Sequence, residues 1–300
     1  MEKIELRKAR DFGALFNDSV AFLRVNFKSF FGTLLFLSGP FVLLTGLLMG
    51  YVQFIAAKIT ESNMLSGIYR GNNMFAGSSM STVLIFVLIF LLTTLVTNAS
   101  IALYFTLYDK AKPEELPMQR SGISQLLAAA CWRLFYNLLL FSLITSIVVL
   151  AIVGIFYLLF LIPVINVIII PAIVIVVLVF VPAFIYIITV ANFIVIRDEI
   201  LITEAIGKAI KYMRGHFWQT WLFIFCALIS LSMLYLLFNM PYLIQGFISG
   251  FTRRAPGTNS FAANHSLMYI IFSALSMLGR MILISPILTC FCVFNFYSQE

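Results

Sequence analysis

The sequence predicts an all-α integral membrane protein with six transmembrane helices. Hydrophobic residues make up 62% of its 300 residues and charged residues 10%, whereas globular proteins have roughly 45–50% and about 25%. The mean hydropathy is +1.05. Long apolar runs recur along the chain, and short segments between them carry most of the charge. This composition excludes a disordered chain, a soluble enzyme and a disulfide-rich secreted protein.

The predicted spans are apolar runs long enough to cross a hydrocarbon core of about 30 Å, which takes about 20 helical residues. Four single runs cover 30–57, 81–108, 217–250 and 267–297. A fifth, longer stretch between Arg133 and Arg197 contains no charged side chain. Pro163 and Asn166 indicate a turn near its middle, so we expect this stretch to cross the membrane twice.

The distribution of positive charge predicts the topology. With six spans, one side holds both termini and the segments 109–136 and 197–216, and it carries fourteen Lys and Arg residues. The other side carries four, with Arg280 not assigned to either side. Positively charged loops stay in the cytoplasm. We therefore expect a multi-pass protein of the cell's inner (cytoplasmic) membrane with both termini cytoplasmic.

The six spans are predicted to form three repeats within a single membrane domain, 1–300. Each repeat consists of an interfacial amphipathic helix followed by a transmembrane hairpin, and the units cover about 10–108, 114–196 and 199–297. The first and third units align without a gap at an offset of 190, which places Arg24 on Arg214 and Phe27 on Phe217. Apolar residues at helical spacing mark each of the three interfacial helices. These residues are Phe12, Phe16, Val20, Leu23 and Phe27 in the first helix; Ile123, Leu126, Leu127, Ala130 and Leu134 in the second; and Ile202, Ile206, Ile210, Met213 and Phe217 in the third.

Each predicted interfacial helix carries an arginine beside aromatic residues. Arginine can reach lipid phosphate while aromatic rings settle at the membrane interface. We therefore expect the basic residues Arg24, Arg133, Arg214 and His216 to contact anionic headgroups at the cytoplasmic face or a partner protein. The predicted interfacial anchors are Phe27, Trp132, Phe135, Phe217, Trp218 and Trp221.

Residues 197–221 also carry a family resemblance. An acidic turn at Asp198 and Glu199 precedes Glu-Ala-Ile at 204–206 and Arg-Gly-His-Phe-Trp at 214–218. This pattern resembles the membrane domain of some bacterial glycerophosphoryl diester phosphodiesterases and its uncharacterised stand-alone relatives. The resemblance implies six spans and a membrane location. It implies no reaction, because the phosphodiesterase members carry their chemistry in a separate soluble domain.

Arg280 is the one charged residue that falls within a predicted span. A mid-membrane arginine costs at least about 2.5 kcal/mol on insertion scales. Either Arg280 lies in the membrane and contacts Asn98, Asn192, backbone carbonyls or another subunit, or the span begins near Met281 and Arg280 reaches the outer headgroups. In both cases we expect a contact with a lipid headgroup or a partner.

Several prolines fall inside the predicted spans. Proline frees a backbone carbonyl that neighbouring groups must satisfy, and broken membrane helices can form binding sites. The candidate helix breaks are Pro40, Pro171, Pro182 and Pro241.

The sequence favours a non-enzymatic scaffold or accessory subunit of a membrane complex. The predicted spans contain no Asp or Glu, and an enzyme at the cytoplasmic face would need His216 beside Asp198, Glu199 or Glu204. We therefore predict no catalytic residue, no metal site and no cofactor. Membrane lipids and other membrane subunits are the expected partners, and nucleic acid is not. The alternative is a transporter or channel for a small or lipid-like solute that is not coupled to ions through carboxylates.

Overall fold

A computed structural model shows a helical chain and describes residues 4–65, 80–111, 123–135, 166–252 and 266–300. The described residues form no strand. They form helices α1 Phe12–Leu37, α2 Gly39–Leu65, α3 Met80–Lys110, α4 Ile123–Phe135, α5 Asn166–Asp198, α6 Ile202–Gly215, α7 Phe217–Thr252 and α8 Ser266–Leu278, then a π-helical segment Gly279–Ile284 and α9 Ser285–Gln299.

Within these described ranges, five helical segments are long and apolar enough to cross a membrane. They are Phe12–Leu37, Ile85–Lys110, Leu178–Asp198, Phe217–Pro241 and Ile270–Gln299. An all-helical fold with several such segments supports a multi-pass membrane protein. Residues 136–165, which belong to the predicted fifth stretch, lie outside the described residues. The six spans and the three repeats therefore stay predictions.

The first predicted span, 30–57, is divided between two helices. Helix α1 runs without a break from Phe12 through Leu37, and α2 begins at Gly39 after a turn at Ser38. Pro40 lies in the first turn of α2, where its missing N–H costs nothing and its fixed φ angle suits a helix start. The Ser38 hydroxyl donates a 2.7 Å hydrogen bond to the Leu34 carbonyl. Thus the break predicted at Gly39 and Pro40 lies between α1 and α2.

The other candidate prolines do not end a helix. Helix α5 continues through Pro171 and Pro182, and α7 continues through Pro241. This corrects the prediction that these residues interrupt the spans. Pro286 is the second residue of α9, which follows the π-helical segment, and the N–H of Ser285 before it bonds to the carbonyl of Arg280 five residues earlier.

Helix α6 is separated from both of its neighbours. After α5, Glu199 adopts a φ of 59°, a left-handed conformation that few residues other than glycine adopt. At the other end His216 leaves the helical conformation, and α7 starts at Phe217. The buried face of α6 consists of Ile202, Ala205, Ala209 and Met213. Ile210, which the sequence placed on the apolar face, is exposed.

Helix α1 buries a stripe other than the apolar one that the sequence marks. Phe12, Val20 and Phe27 of the marked stripe, which we predict to face the membrane, are exposed, whereas a second stripe is buried: Leu15, Ser19, Phe22, Asn26 and Phe30. The polar members satisfy their donors within the helix, since Ser19 donates to the Leu15 carbonyl and Asn26 to the Phe22 carbonyl. In a lipid environment, helices pack through small or self-satisfied polar groups, and purely apolar stripes can stay outside.

The chain folds as two compact units. Unit 1 comprises the described residues within 1–30, 98–229 and 287–300, and unit 2 those within 31–97 and 230–286. Unit 1 has an aromatic core around Phe22, whose ring lies 5.2 Å from Phe105, 5.0 Å from Tyr108 and 5.5 Å from Phe294 between centroids. One end of α1 contacts α7 instead, where Phe12 meets Phe223 at 5.7 Å. Residues 12–30 of α1 therefore cross α7, α9 and α3.

Unit 2 is held together by close approaches of helices. Helix α2 packs against α8 at Gly46, where a Cβ would lie 2.6 Å from the Ala274 Cα. Helix α2 also meets α3 through a hydrogen bond of 2.6 Å between the hydroxyls of Thr45 and Thr93. Small residues and paired hydroxyls at helix interfaces are typical of membrane helices.

Candidate functional site

Eight charged residues, most of them near the chain ends or the ends of α3 and α5, form three sets of ion pairs in unit 1, which we together call the ion-pair cluster. Its members are Arg7, Arg10, Asp18, Asp109, Arg197, Asp198, Lys208 and Glu300. These residues are far apart in sequence, so no local sequence pattern groups them. One available signal was that Asp109, Arg197 and Glu300 each lie within two residues of the end of a long apolar helix.

Arg197 is the most highly connected member of the ion-pair cluster. Its guanidinium donates to Glu300 at 2.6 and 2.9 Å and to Asp198 at 2.7 Å. It also lies 4.9 Å from the centroid of the Phe296 ring, within the range of a cation–π contact. The side chain is only 10% exposed. Lys208 of α6 bonds to Asp198 at 2.8 Å, so the cluster joins α5, α6 and the end of α9.

Arg10 fixes the segment that precedes α1. Its side chain is 1% exposed, and its Nε donates to Asp18 at 2.7 Å. The guanidinium also donates to three backbone carbonyls of that segment, those of Glu5, Leu6 and Lys8. A buried arginine is stable only when its donors are satisfied. Arg10 therefore has a structural role.

Arg7 and Asp109 tie the same segment to the end of α3. Arg7 Nη2 lies 2.9 Å from Asp109 Oδ2, and the Tyr297 hydroxyl donates to that oxygen at 3.3 Å. The hydrogen bond to Asp109 raises the pKa of the Arg7 guanidinium above its ordinary value. Because Arg7 is largely exposed, solvent screens this pair and its contribution to stability is small.

The predicted arginine–aromatic segments lie outside the ion-pair cluster. Arg24 and Arg214 are exposed, and neither forms an ion pair with an acid in the part of the chain that the structure describes. Their aromatic neighbours are exposed as well: Phe27 is 54% exposed and Trp218 is 69% exposed. We use the name arginine–aromatic surface for the following residues: Arg24, Phe27, Trp132, Arg133, Phe135, Arg214, His216 and Trp218.

Arg133 differs from its two counterparts because it has a partner. Its Nη1 lies 2.8 Å from Glu199 Oε1, and both side chains are largely exposed. The hydrogen bond and positive charge of Arg133 lower the pKa of the Glu199 carboxyl below its ordinary value. Trp132 next to it is 73% exposed. The ion pair joins α4 to the turn between α5 and α6.

The remaining predicted anchors are partly packed. Phe217 and Trp221 are half-buried, and Trp221 Nε1 donates to the Val179 carbonyl at 3.0 Å. His216 is exposed, and no salt bridge joins it to any acid of the described ranges. Asp198 and Glu199, its suggested partners in an enzyme, are engaged with arginine instead. The described residues contain no group of three or more residues suited to hold a metal ion.

The predicted intramembrane positions are divided between the two units. Arg280 is exposed and belongs to the π-helical segment of unit 2. Asn98 and Asn192 are half-buried and belong to unit 1. Pro40 is exposed, Pro182 is buried and Pro241 is half-buried.

Comparison with protein families, characterised proteins and solved structures found no match to this chain. The resemblance of residues 197–221 to a phosphodiesterase membrane domain therefore stays a prediction.

Proposed function

We propose that this chain is a non-enzymatic subunit of a bacterial inner-membrane complex. In this proposal it crosses the membrane six times, keeps both termini in the cytoplasm and acts as a scaffold for other membrane proteins. The observation that carries the proposal is the contrast between two sets of charged residues. One set forms the ion-pair cluster within the chain, and the other belongs to the exposed arginine–aromatic surface.

The ion-pair cluster supports a structural use of the buried charges. Arg10 and Arg197 direct their donors to carboxylates and backbone carbonyls of the same chain. Such groups stabilise a fold and are not left available for a substrate. The acids Asp18, Asp109, Asp198 and Glu300 are used in the same way.

The arginine–aromatic surface supports an external contact. Arg24 and Arg214 place positive charge beside exposed aromatic rings, a combination suited to anionic headgroups. This contact would fix the depth and orientation of the chain in the membrane. A fixed orientation is what a scaffold needs in order to present its membrane helices to a partner.

Helix α7 offers the surface that we assign to that partner. In unit 2 its residues Met233, Leu237 and Phe247 are all exposed. Its membrane segment is also the least buried of the five, since 22% of its most apolar stretch is buried among the residues that the structure describes. A helix that packs so little against the described part of the chain is a suitable surface for a helix of another subunit.

The transporter alternative needs polar groups that are available to a solute. Two buried hydroxyls of unit 2 have partners within the chain: Thr45 Oγ1 lies 2.6 Å from Thr93 Oγ1, and each hydroxyl is also within hydrogen-bond distance of a carbonyl one turn earlier in its helix, that of Phe41 or Ile89. This arrangement favours helix packing, so we treat transport as an outcome of the experiment below.

Purification from the native membrane into lipid nanodiscs, followed by quantitative mass spectrometry, tests the proposal. We expect a protein partner in a fixed ratio to this chain. Alanine replacement of Met233, Leu237 and Phe247 together should reduce the partner yield at least about fivefold, since each removes buried apolar area at an interface.

Alanine replacement of Leu43, Leu88 and Leu92 is the matched control, because these residues are also exposed apolar residues of unit 2. We expect it to leave the partner yield unchanged. A chain that purifies alone would contradict the subunit proposal, and solute flux through liposomes containing only this chain would support the transporter instead.

A further inference from the structure

Arg280 is the one charged residue of a long helical run. The elements from Ser266 through Gln299 follow one another without a break, and no other residue among them is charged. A membrane crossing takes about 20 helical residues. Position 280 is the fifteenth of the run counted from Ser266 and the twentieth counted back from Gln299. Every stretch of about 20 residues within the run therefore contains Arg280.

Helices α7 and α8 pack against each other in opposite directions in unit 2. The Phe238 ring lies against Gly279, and the Ser276 hydroxyl donates to Asn239 Oδ1 at 3.0 Å. Residue numbers rise along α7 where they fall along α8, so the two helices are antiparallel at this point. This direction determines which residues of α7 are level with Arg280.

Leu236 of α7 is the neighbour of Arg280 across this helix pair. Residues three or four apart are neighbours on one face of a helix. Leu236 precedes Asn239 by three positions, and Arg280 follows Ser276 by four. Because Asn239 and Ser276 bond to each other and the helices are antiparallel, Leu236 and Arg280 lie on the same side of that bond.

The level of Leu236 is near the middle of α7. The helix extends 19 residues before Leu236 and 16 residues after it, and none of these residues is charged. At 1.5 Å per residue these lengths are about 28 and 24 Å. Each length exceeds half the thickness of a hydrocarbon core of about 30 Å. In a membrane that α7 crosses, Arg280 is therefore level with the hydrocarbon core.

The described residues provide no carboxylate for Arg280. It forms no ion pair with any acid among them. The sequence of unit 2 contains one acid, Glu61 of α2. Helix α2 packs on α8 at Gly46 and Ala274, and in the proposed topology these helices run in opposite directions. Position 61 is then about 30 Å from position 280 along the helices, too far for an ion pair.

A guanidinium at this level requires an acceptor of opposite charge. The Arg280 side chain is exposed on unit 2, so acyl chains would surround it in a membrane. Charged side chains inside a bilayer are costly, and they usually pair with one another. A carboxylate neutralises the charge and binds the planar guanidinium through two parallel hydrogen bonds.

An exposed apolar stripe of α7 begins beside Arg280. Its members are Leu236, Met240, Leu243 and Phe247, which are exposed by 53, 50, 46 and 69%. Their spacing of four, three and four residues places them in one row, as in the contact seam of two packed helices. Phe247 also belongs to the surface that we assign to the partner subunit.

We propose that Arg280 forms an ion pair inside the membrane with an aspartate or glutamate of the partner's transmembrane helix. That helix packs along the α7 stripe and brings its carboxylate to Arg280 at the Leu236 end. This inference rests on the proposed subunit function. It adds the chemistry by which the partner is recognised, a single acid within a membrane helix.

Carbodiimide cross-linking tests for a carboxylate beside position 280. The Arg280→Lys chain is treated in its native membrane with dicyclohexylcarbodiimide, which enters the bilayer. The reagent condenses the lysine amine with a neighbouring carboxylate, so that an amide forms and the released water converts the reagent to a urea. We expect mass spectrometry to identify an adduct between position 280 and an Asp or Glu in an apolar stretch of another protein.

Leu275→Lys is the matched control for the cross-link. Leu275 is 44% exposed on α8 and lies about 140° around the helix axis from Arg280. The same amine is thus presented on the other side of the helix. We expect no protein adduct at position 275.

The partner yield in nanodiscs measures the contribution of the charge. Arg280→Leu and Arg280→Gln should each lower the yield at least about tenfold, because the partner's carboxylate loses its counter-charge within the membrane. Arg280→Lys should keep part of the yield. Two different neutral variants guard against a folding defect in one of them, and Arg280→Glu should regain the partner when the cross-linked acid is replaced with lysine.

The outcomes separate this inference from the proposed function. A lipid adduct in place of the protein adduct would identify a headgroup contact and overturn the inference, as would equal protein adducts at positions 275 and 280 or none at either. A partner that purifies equally well with the Arg280→Leu chain would overturn the inference and leave the subunit proposal standing. A chain that purifies without any partner would contradict both.

Discussion

Replacing Arg197 with leucine should lower the free energy of unfolding by about 3 kcal/mol, the lower part of the range measured when one member of a buried ion pair is removed. The guanidinium is 10% exposed and bonds to two carboxylates, those of Asp198 and Glu300. Its removal leaves both without their main partner, and the contact with the Phe296 ring is lost as well. Unfolding of the detergent-solubilised protein, followed by circular dichroism, measures the effect.

Two further variants show whether the effect arises from this geometry. Arg197→Lys keeps the charge but loses the paired hydrogen bonds, so we expect an intermediate loss. Lys208→Met removes a cation whose side chain is 47% exposed and that bonds to Asp198, and exposed pairs contribute about 0–1 kcal/mol. If Arg197→Leu unfolded at the same midpoint as Lys208→Met, the buried ion pairs of Arg197 would not stabilise unit 1 more than an exposed pair does.

Replacing Gly46 with valine is also expected to cost about 3 kcal/mol. A Cβ at this position would lie 2.6 Å from the Ala274 Cα, and that atom belongs to the backbone and cannot rotate away. Helices α2 and α8 must then move apart, which is the strained outcome of overpacking. The same unfolding measurement in detergent gives the size of the effect.

Gly207→Ala is the control for the effect of removing a glycine. No atom lies within 4 Å of a Cβ built at Gly207, which is in the interior of α6. Alanine should therefore stabilise the protein by about 0.5–1 kcal/mol through helix propensity. Equal stability of the Gly46→Val protein and the unsubstituted chain would contradict the close packing of α2 on α8.

The helical class of the fold could be predicted because a high content of hydrophobic residues and apolar runs of about 20 residues are what a membrane-spanning helix requires. Helix α6 was also predictable, since apolar residues at helical spacing lie between the acidic turn at Asp198 and the Arg–Gly–His sequence at 214–216. These signals are local, and the structure forms the corresponding elements at the predicted places.

The buried face of α1 could not be predicted from the same kind of signal. An apolar stripe such as Phe12, Val20 and Phe27 is buried in a soluble protein, but in a membrane protein it can equally face lipid. The structure buries the stripe with Ser19 and Asn26 instead, and both donate hydrogen bonds to carbonyls of their own helix. Periodicity identifies a face but does not identify its environment.

The ion-pair cluster was missed because its partners are distant in sequence. Arg7 and Asp109 are separated by 102 positions, and Arg197 and Glu300 by 103. The sequence instead drew attention to the repeated Arg24, Arg133 and Arg214. Only the folded chain shows which arginines are used internally and which are left exposed.

The proposed scaffold orientation requires that the three arginine–aromatic segments lie at the same membrane face. One cysteine is introduced at a time, as Arg24→Cys, Arg133→Cys or Arg214→Cys in a Cys131→Ser background, and is labelled with a membrane-impermeant maleimide in right-side-out and inside-out vesicles. The Cys131→Ser parent measures labelling of the remaining Cys226, Cys290 and Cys292. We expect labelling of all three introduced cysteines in inside-out vesicles only. Labelling of any one of them from the outside would contradict the shared face and the scaffold orientation derived from it.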